Sequence, residues 1–131
     1  MKGFELKEKH VSQQVKDFLE WQGWRLVRNN VTKLRDYAGH WTSYGEVGMP
    51  DFLALYYCQH DHPGVAVALW VEVKKADGKL SPQQVVWHTA ELARGGCVVV
   101  ASHFEDFEKW YWEHFLWLHH TQGQQPSLFP S

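Results

Sequence analysis

Asp51, Glu72 and Lys74 are the residues whose types and spacing could do chemistry. Asp51 follows Pro50 in GMPDFLALYY, and Glu72 and Lys74 fall in WVEVKK. Asp51 stands at the start of an apolar run, 52–58, that reads as a strand. Glu72 and Lys74 close a second apolar strand, 65–74. Strand side chains alternate between faces, so Glu72 and Lys74 share one face with Ala66, Ala68 and Trp70. Val65, Val67, Leu69, Val71 and Val73 share the other. A carboxylate and an ammonium on a buried strand cost free energy unless they are paired or bound to something. Taken singly, each has a plain reading. Glu72 and Lys74 would be a surface ion pair where a strand leaves the core, and Asp51 a polar strand cap. Taken together they suggest more. Consecutive strands are often neighbours, which would bring Asp51 and Glu72 to one sheet edge. Two carboxylates facing one point repel unless a cation lies between them. Hard oxygen donors of this kind suit Mg²⁺ or Mn²⁺. A nearby lysine can stabilise an anionic transition state or help activate water. The set fits metal-assisted phosphodiester hydrolysis.

These groups need elements to position them. Residues 8–22 read as a helix, with Val11, Val15, Phe18 and Leu19 at helical spacing and Gly23 placed to end it. Glu8 falls on the apolar face of that helix and is a third carboxylate of interest. It fits equally a first-turn acid favoured by the helix dipole. A short strand follows at 24–27. Residues 29–50 read as an irregular loop with room for a short strand, and 60–64 as a turn. The near-continuous apolar character of 65–74 predicts a central strand covered on both faces. Ser81-Pro82 supplies an N-cap and a first-turn proline for a helix over 82–94, which Gly95-Gly96 ends. Residues 97–101 read as a buried strand and 104–120 as an aromatic-rich helix. The order is helix, strand, strand, strand, helix, strand, helix: an α/β fold with a sheet covered by helices.

Bulk properties narrow the class. At 131 residues the chain suggests one domain, long enough for a real core without disulfides or a structural metal. Its net charge of −2 does not advertise nucleic-acid binding, which would need a local basic patch or a metal. Cys58 and Cys97 lie inside apolar runs and read as buried thiols of a reducing compartment. The charged N-terminus has no signal-peptide pattern, and no apolar run reaches membrane-spanning length. His60, His62, His119 and His120 lack the paired spacing of a structural zinc site. His88 reads first as a surface or core residue, with a place near the active site on the helix after Ser81-Pro82 as the alternative.

Pro50-Asp51 followed by Glu72-Val73-Lys74 resembles the signature of the PD-(D/E)xK nucleases. The flanking RNN at 28–30, GMPDFLAL at 48–55, WVEVKKADGKLSPQQVVWH at 70–88 and GGCVVVAS at 95–102 sharpen it. In order and spacing these resemble the VRR-NUC branch, the virus-type replication and repair nucleases, over about residues 8–112. No motif position departs from the pattern. The resemblance implies a restriction-endonuclease-like core with a central mixed sheet flanked by helices, spanning 1–121. It implies a Mg²⁺- or Mn²⁺-dependent DNA endonuclease in the cytoplasm of a bacterial or phage-infected cell, acting in replication, repair and recombination. Asp51, Glu72 and the Val73 carbonyl would hold the metal, with Glu8 as the first-helix glutamate. Lys74 would be the catalytic lysine, with Lys75 a weak rival. Gln84 would orient the lysine or the substrate, with Gln83 one residue away. Arg25, Arg28, Lys33, Arg35, Lys75 and Lys79 would contact DNA phosphates collectively, although each alone reads as a solvated charge.

Two features lie outside the motif. The helix over 104–120 has more aromatic surface than a small domain needs. Phe104, Phe107, Tyr111, Phe115 and Leu118 form a stripe, with Trp110, Trp112 and Trp117 partly outside it. This reads as a broad core face or as a partner surface. The family resemblance implies a homodimer suited to branched DNA such as a Holliday junction. The tail, 122–131, reads as flexible. Within it Gln125, Ser127, Leu128 and Phe129 resemble the bacterial sliding-clamp binding peptide, with Pro126 where leucine is usual. The competing functional reading is a non-catalytic DNA-binding or clamp-tethered adaptor on a nuclease-like scaffold.

Overall fold

The computed structural model describes residues 8–28, 33–35, 38–39, 41–43, 46–58 and 62–120, the side chains of 33–35, 41–43 and 120 excepted. The elements in order are α1 (Glu8–Trp21), β1 (Arg25–Arg28), β2 (Lys33–Arg35), β3 (Trp41–Ser43), β4 (Phe52–Tyr57), β5 (Ala66–Val73), α2 (Pro82–Ala93), β6 (Cys97–Ala101) and α3 (Phe104–His120). A four-stranded mixed sheet has the order β1-β4-β5-β6. The first three strands pair antiparallel, and α2 carries the chain across to β6, which runs parallel to β5. Without β2 and β3 the order is α-β-β-β-α-β-α, as the sequence predicts. The two short strands form a separate antiparallel pair inside the expected loop. Three residues are too few to carry a period-2 signal.

One face of the sheet carries the core. Phe52, Ala54 and Tyr56 of β4, Leu69, Val71 and Val73 of β5, and Val99 and Ala101 of β6 are all buried there. They form one hydrophobic cluster with Val11, Val15, Phe18 and Leu19 of α1 and Phe107, Tyr111, Phe115 and Leu118 of α3. Fully burying a side chain such as Leu or Phe contributes about 1.5–3 kcal/mol, so this face holds most of the apolar stabilisation. The surplus aromatics of α3 mostly join it: Trp110 and Trp112 pack against the cluster, while Trp117 is 54% exposed. Trp24 donates its indole N–H to the Tyr111 hydroxyl at 2.8 Å, and Tyr111 lies 2.7 Å from His119 Nε2. Burial pushes the Tyr111 hydroxyl up to about 12, so it stays protonated.

On the other face, Trp70 of β5 meets Trp87 of α2 edge to face, with ring centroids 4.9 Å apart. β5 is central as predicted, but only its C-terminal half is enclosed. Ala66 and Val67 are half-buried and Ala68 is exposed. The β6 pairing begins only at Leu69↔Cys97, which leaves the first residues of β5 without that neighbour. Cys58 and Cys97 are free and half-buried, less enclosed than their apolar surroundings suggest.

Two local devices aim the site. Ser81 caps α2 by accepting from Gln84 N, and Gln84 Oε1 accepts from Ser81 N at 2.8 Å, a reciprocal capping box. Gly48 has φ 85°, and a Cβ there would overlap the Gln83 carbonyl. The turn before Asp51 therefore rests directly on the start of α2. Gly48→Ala should lose at least about 2 kcal/mol of stability from backbone strain and the clash together, measured by urea unfolding.

Candidate active site

The antiparallel register pairs Phe52 with Val71, so one further step sets Asp51 across from Glu72. Asp51 is exposed, yet its Oδ2 accepts the Val73 N–H at 2.7 Å. The carboxylate therefore caps the end of β5 while standing beside Glu72, so the plain reading and the functional one coexist. Buried Pro50 and the Gly48 turn hold the chain that delivers it.

Glu72 is 2% exposed, and its side chain is turned toward α2. Gln84 Nε2 donates to Glu72 Oε2 at 3.1 Å, and Lys74 Nζ stands 3.8 Å from the same oxygen. The capping box explains this orientation. With Gln84 Oε1 committed to Ser81 N–H, the amide must present its NH₂ to Glu72. Gln84 thus contacts Glu72 itself, whereas Gln83 is exposed. Gln84→Ala and Ser81→Ala should each cost about 1 kcal/mol of stability. The double variant should cost less than the sum, because both remove one shared motif; urea unfolding of the four proteins checks this.

The environment penalises the charge on Glu72. Burial, then the Asp51 carboxylate, push it up to about 7 with a smaller push from Glu8, while Lys74 and the Gln84 hydrogen bond pull in the opposite direction. Glu72 Oε1 is buried with no hydrogen-bond partner. His88 Nε2, 4.0 Å away and also unpartnered, is pushed down by burial and by Lys74. His88 was not among the predicted site residues. Its signal was present, since it lies four positions after Gln84 and so on the same face of α2.

On the α1 side of Asp51 opens a cavity of about 550 Å³ lined by Glu8, Asp51, Phe52 and Val73, with Lys9, Ser12, Lys16 and Arg28 completing its walls. Glu8 thus does reach the site, from the first turn of α1. Of the predicted phosphate contacts whose side chains are among the described residues, Arg28 alone lines this cavity. Arg25 stands at the far end of β1, donating to the Tyr57 hydroxyl at 2.7 Å. Lys75 and Lys79 are exposed between β5 and α2. The Lys33 and Arg35 side chains lie outside the described residues, as do His60 and the tail with Gln125, Ser127, Leu128 and Phe129.

No family model and no curated protein matches the chain. Among solved structures, a chain described as a VRR_NUC domain matches with a TM-score of 0.56 and 28% identity, over 82% of this chain and 96% of that one. The sequence resemblance and the fold therefore agree: the mixed sheet with three helices matches the VRR_NUC fold. The similarity suggests a nuclease.

Such nucleases usually depend on a metal, and the donors here can be tested for it. Among the described residues, no group of three His, Cys, Asp or Glu side chains is already drawn together as a metal site, so Asp51, Glu72 and Glu8 would have to close on an ion as it binds. The donor chemistry nevertheless fits a hard divalent cation. Asp51 and Glu8 line one cavity, and Glu72 keeps a buried, unpartnered carboxylate oxygen whose charge both neighbours oppose. A cation relieves that repulsion. No helix among the described residues is long and apolar enough to cross a membrane.

Proposed function

We propose that the chain is a divalent-metal-dependent DNA endonuclease that hydrolyses phosphodiester bonds, with branched DNA as its substrate. The observation that carries this reading is the raised, buried Glu72 set across from Asp51 with Lys74 3.8 Å away. A carboxylate pair that opposes its own ionisation beside an ammonium is poorly explained by stability alone. Asp51, Glu72 and Glu8 would hold Mg²⁺ or Mn²⁺, with the Val73 carbonyl as a further donor. The bound ion would polarise the scissile phosphate and lower the pKa of the attacking water. The chain's own groups do the rest. Val73 N–H fixes Asp51, and Gln84 holds Glu72. Lys74 offers its charge to a phosphoryl oxygen, where electrostatic stabilisation is worth most in a partly desolvated site. Arg28 draws the DNA backbone toward the cavity.

The test is incubation of purified protein with labelled linear, flapped and four-way-junction DNA plus Mn²⁺. Cleavage by the wild type that is lost in Lys74→Ala supports the reading, and equal cleavage by both proteins sinks it. Structure-specific binding with no cleavage under any metal would favour the adaptor instead. Pairing into a homodimer would supply two cutting sites for a junction, and solution size measurement decides it. Docking of residues 125–129 on a sliding clamp predicts that removing 124–131 abolishes clamp binding.

A further inference from the structure

The cavity beside Asp51 has a basic side that the metal chemistry does not use. Lys9, Ser12 and Lys16 follow i, i+3, i+7 spacing and so line one side of α1, next to its buried stripe. Arg28, at the end of β1 and in register with Phe52, closes the same cavity from the sheet. Lys16 is half-buried, and its Nζ lies 5.7 Å from the Phe52 ring centroid, which holds the ammonium near the cavity rather than free in solvent. Among the described residues, neither Lys9, Lys16 nor Arg28 forms an ion pair, although Glu8 and Asp51 line the same cavity. Three cations that leave two neighbouring carboxylates unpaired suit an anion that arrives with the substrate. Lys16 follows Glu8 by two helical turns, about 12 Å along the axis. At about 550 Å³ the cavity has room for a second phosphate beside one held at Asp51.

We propose that Ser12, Lys16 and Arg28, with Lys9 at the mouth, form a subsite for a non-scissile backbone phosphate of the DNA substrate. The proposal rests on the nuclease reading above. The subsite holds one strand along α1 and so sets where the scissile bond falls relative to Asp51. Lys16 and Arg28 supply the charge, and the Ser12 hydroxyl supplies a hydrogen bond to a phosphoryl oxygen. The subsite carries no information about base sequence.

The test is binding of fluorescein-labelled duplex DNA to the full chain, followed by anisotropy from about 50 to 200 mM salt with Ca²⁺ as the divalent ion. Lys16→Gln and Arg28→Gln should each weaken binding about tenfold at low salt. Each should also reduce the slope of log affinity against log salt by about one. Lys16→Arg should restore both, and Lys109→Gln on the exposed side of α3 should change neither. Wild-type affinity and slope in both glutamine variants would overturn the subsite. So would a loss of binding that Lys16→Arg fails to restore while all variants melt like the wild type. Cleavage of the same DNA in Mn²⁺ separates the two readings. Wild-type cleavage with unchanged slopes removes the subsite alone. Altered slopes without any cleavage remove the nuclease reading and leave a phosphate-binding cavity.

Discussion

Asp51→Asn is expected to lower the rate of DNA cleavage by about 10³-fold while leaving the melting temperature close to that of the wild type. The reason lies in the two roles of one carboxylate. Asp51 Oδ2 accepts the Val73 N–H, which closes the end of β5. An asparagine carbonyl can accept the same hydrogen bond, so this contribution survives the substitution. What disappears is the negative charge set across from Glu72 and lining the cavity with Glu8. Asp51→Ala removes both roles. It should abolish cleavage too, but with a further loss of about 1 kcal/mol of stability from the unpaired Val73 N–H. Cleavage gels and thermal melts of the three proteins decide the matter. Asp51→Asn that cuts like the wild type would reduce Asp51 to a strand cap.

The second large effect concerns Glu72 and pH. Its carboxyl is raised from 4.5 to about 7, chiefly by burial and then by Asp51. The folded state therefore binds more protons than the unfolded state between these values. The Glu72 contribution to the stability of the metal-free protein should fall as pH rises from about 4.5 to about 7 and then level off, while His88, pushed down by burial, contributes in the opposite sense below 6.5. At 2% exposure little solvent screening applies, and the loss is about 3 kcal/mol. Glu72→Gln removes the ionisation but keeps an oxygen for the Gln84 amide. This variant should lose the fall with pH, keep the opposing rise from His88, and exceed the wild type in stability above pH 7. Mg²⁺ should then stabilise the wild type more at pH 8 than at pH 5, because protons compete with the cation for Glu72. It should stabilise Glu72→Gln far less at either pH. Urea unfolding at several pH values, with and without Mg²⁺, reads all of these. A wild type whose stability does not fall from pH 5 to pH 7 relative to Glu72→Gln would mean that Glu72 ionises without penalty.

Local pattern was enough for much of the fold. The bounds of β6 and α3 match the sequence reading, and those of α1 and α2 match to within one residue. Their signals are local: periodic apolar residues, Ser81-Pro82, and glycines at the helix ends. The β2 and β3 pair was not legible, because such short strands are defined by each other and not by their own side-chain pattern. The shallow cover over the start of β5 was hidden for a similar reason: burial there depends on where β6 begins.

The same division runs through the candidate site. Sequence by itself determined which residues could carry chemistry: Asp51, Glu72 and Lys74 sit at strand ends whose positions local rules specify, and Gln84 followed from the family resemblance. Only the tertiary structure decided what each one touches. The strand register set Asp51 across from Glu72, and the capping box turned the Gln84 amide onto the Glu72 oxygen that Lys74 also faces. Packing of α2 on the sheet buried His88 against the same carboxylate, and packing of α1 carried Lys16 to Phe52 and Arg28. Such contacts join residues far apart in the chain. Their geometry comes from how whole elements pack, which no short window of sequence encodes.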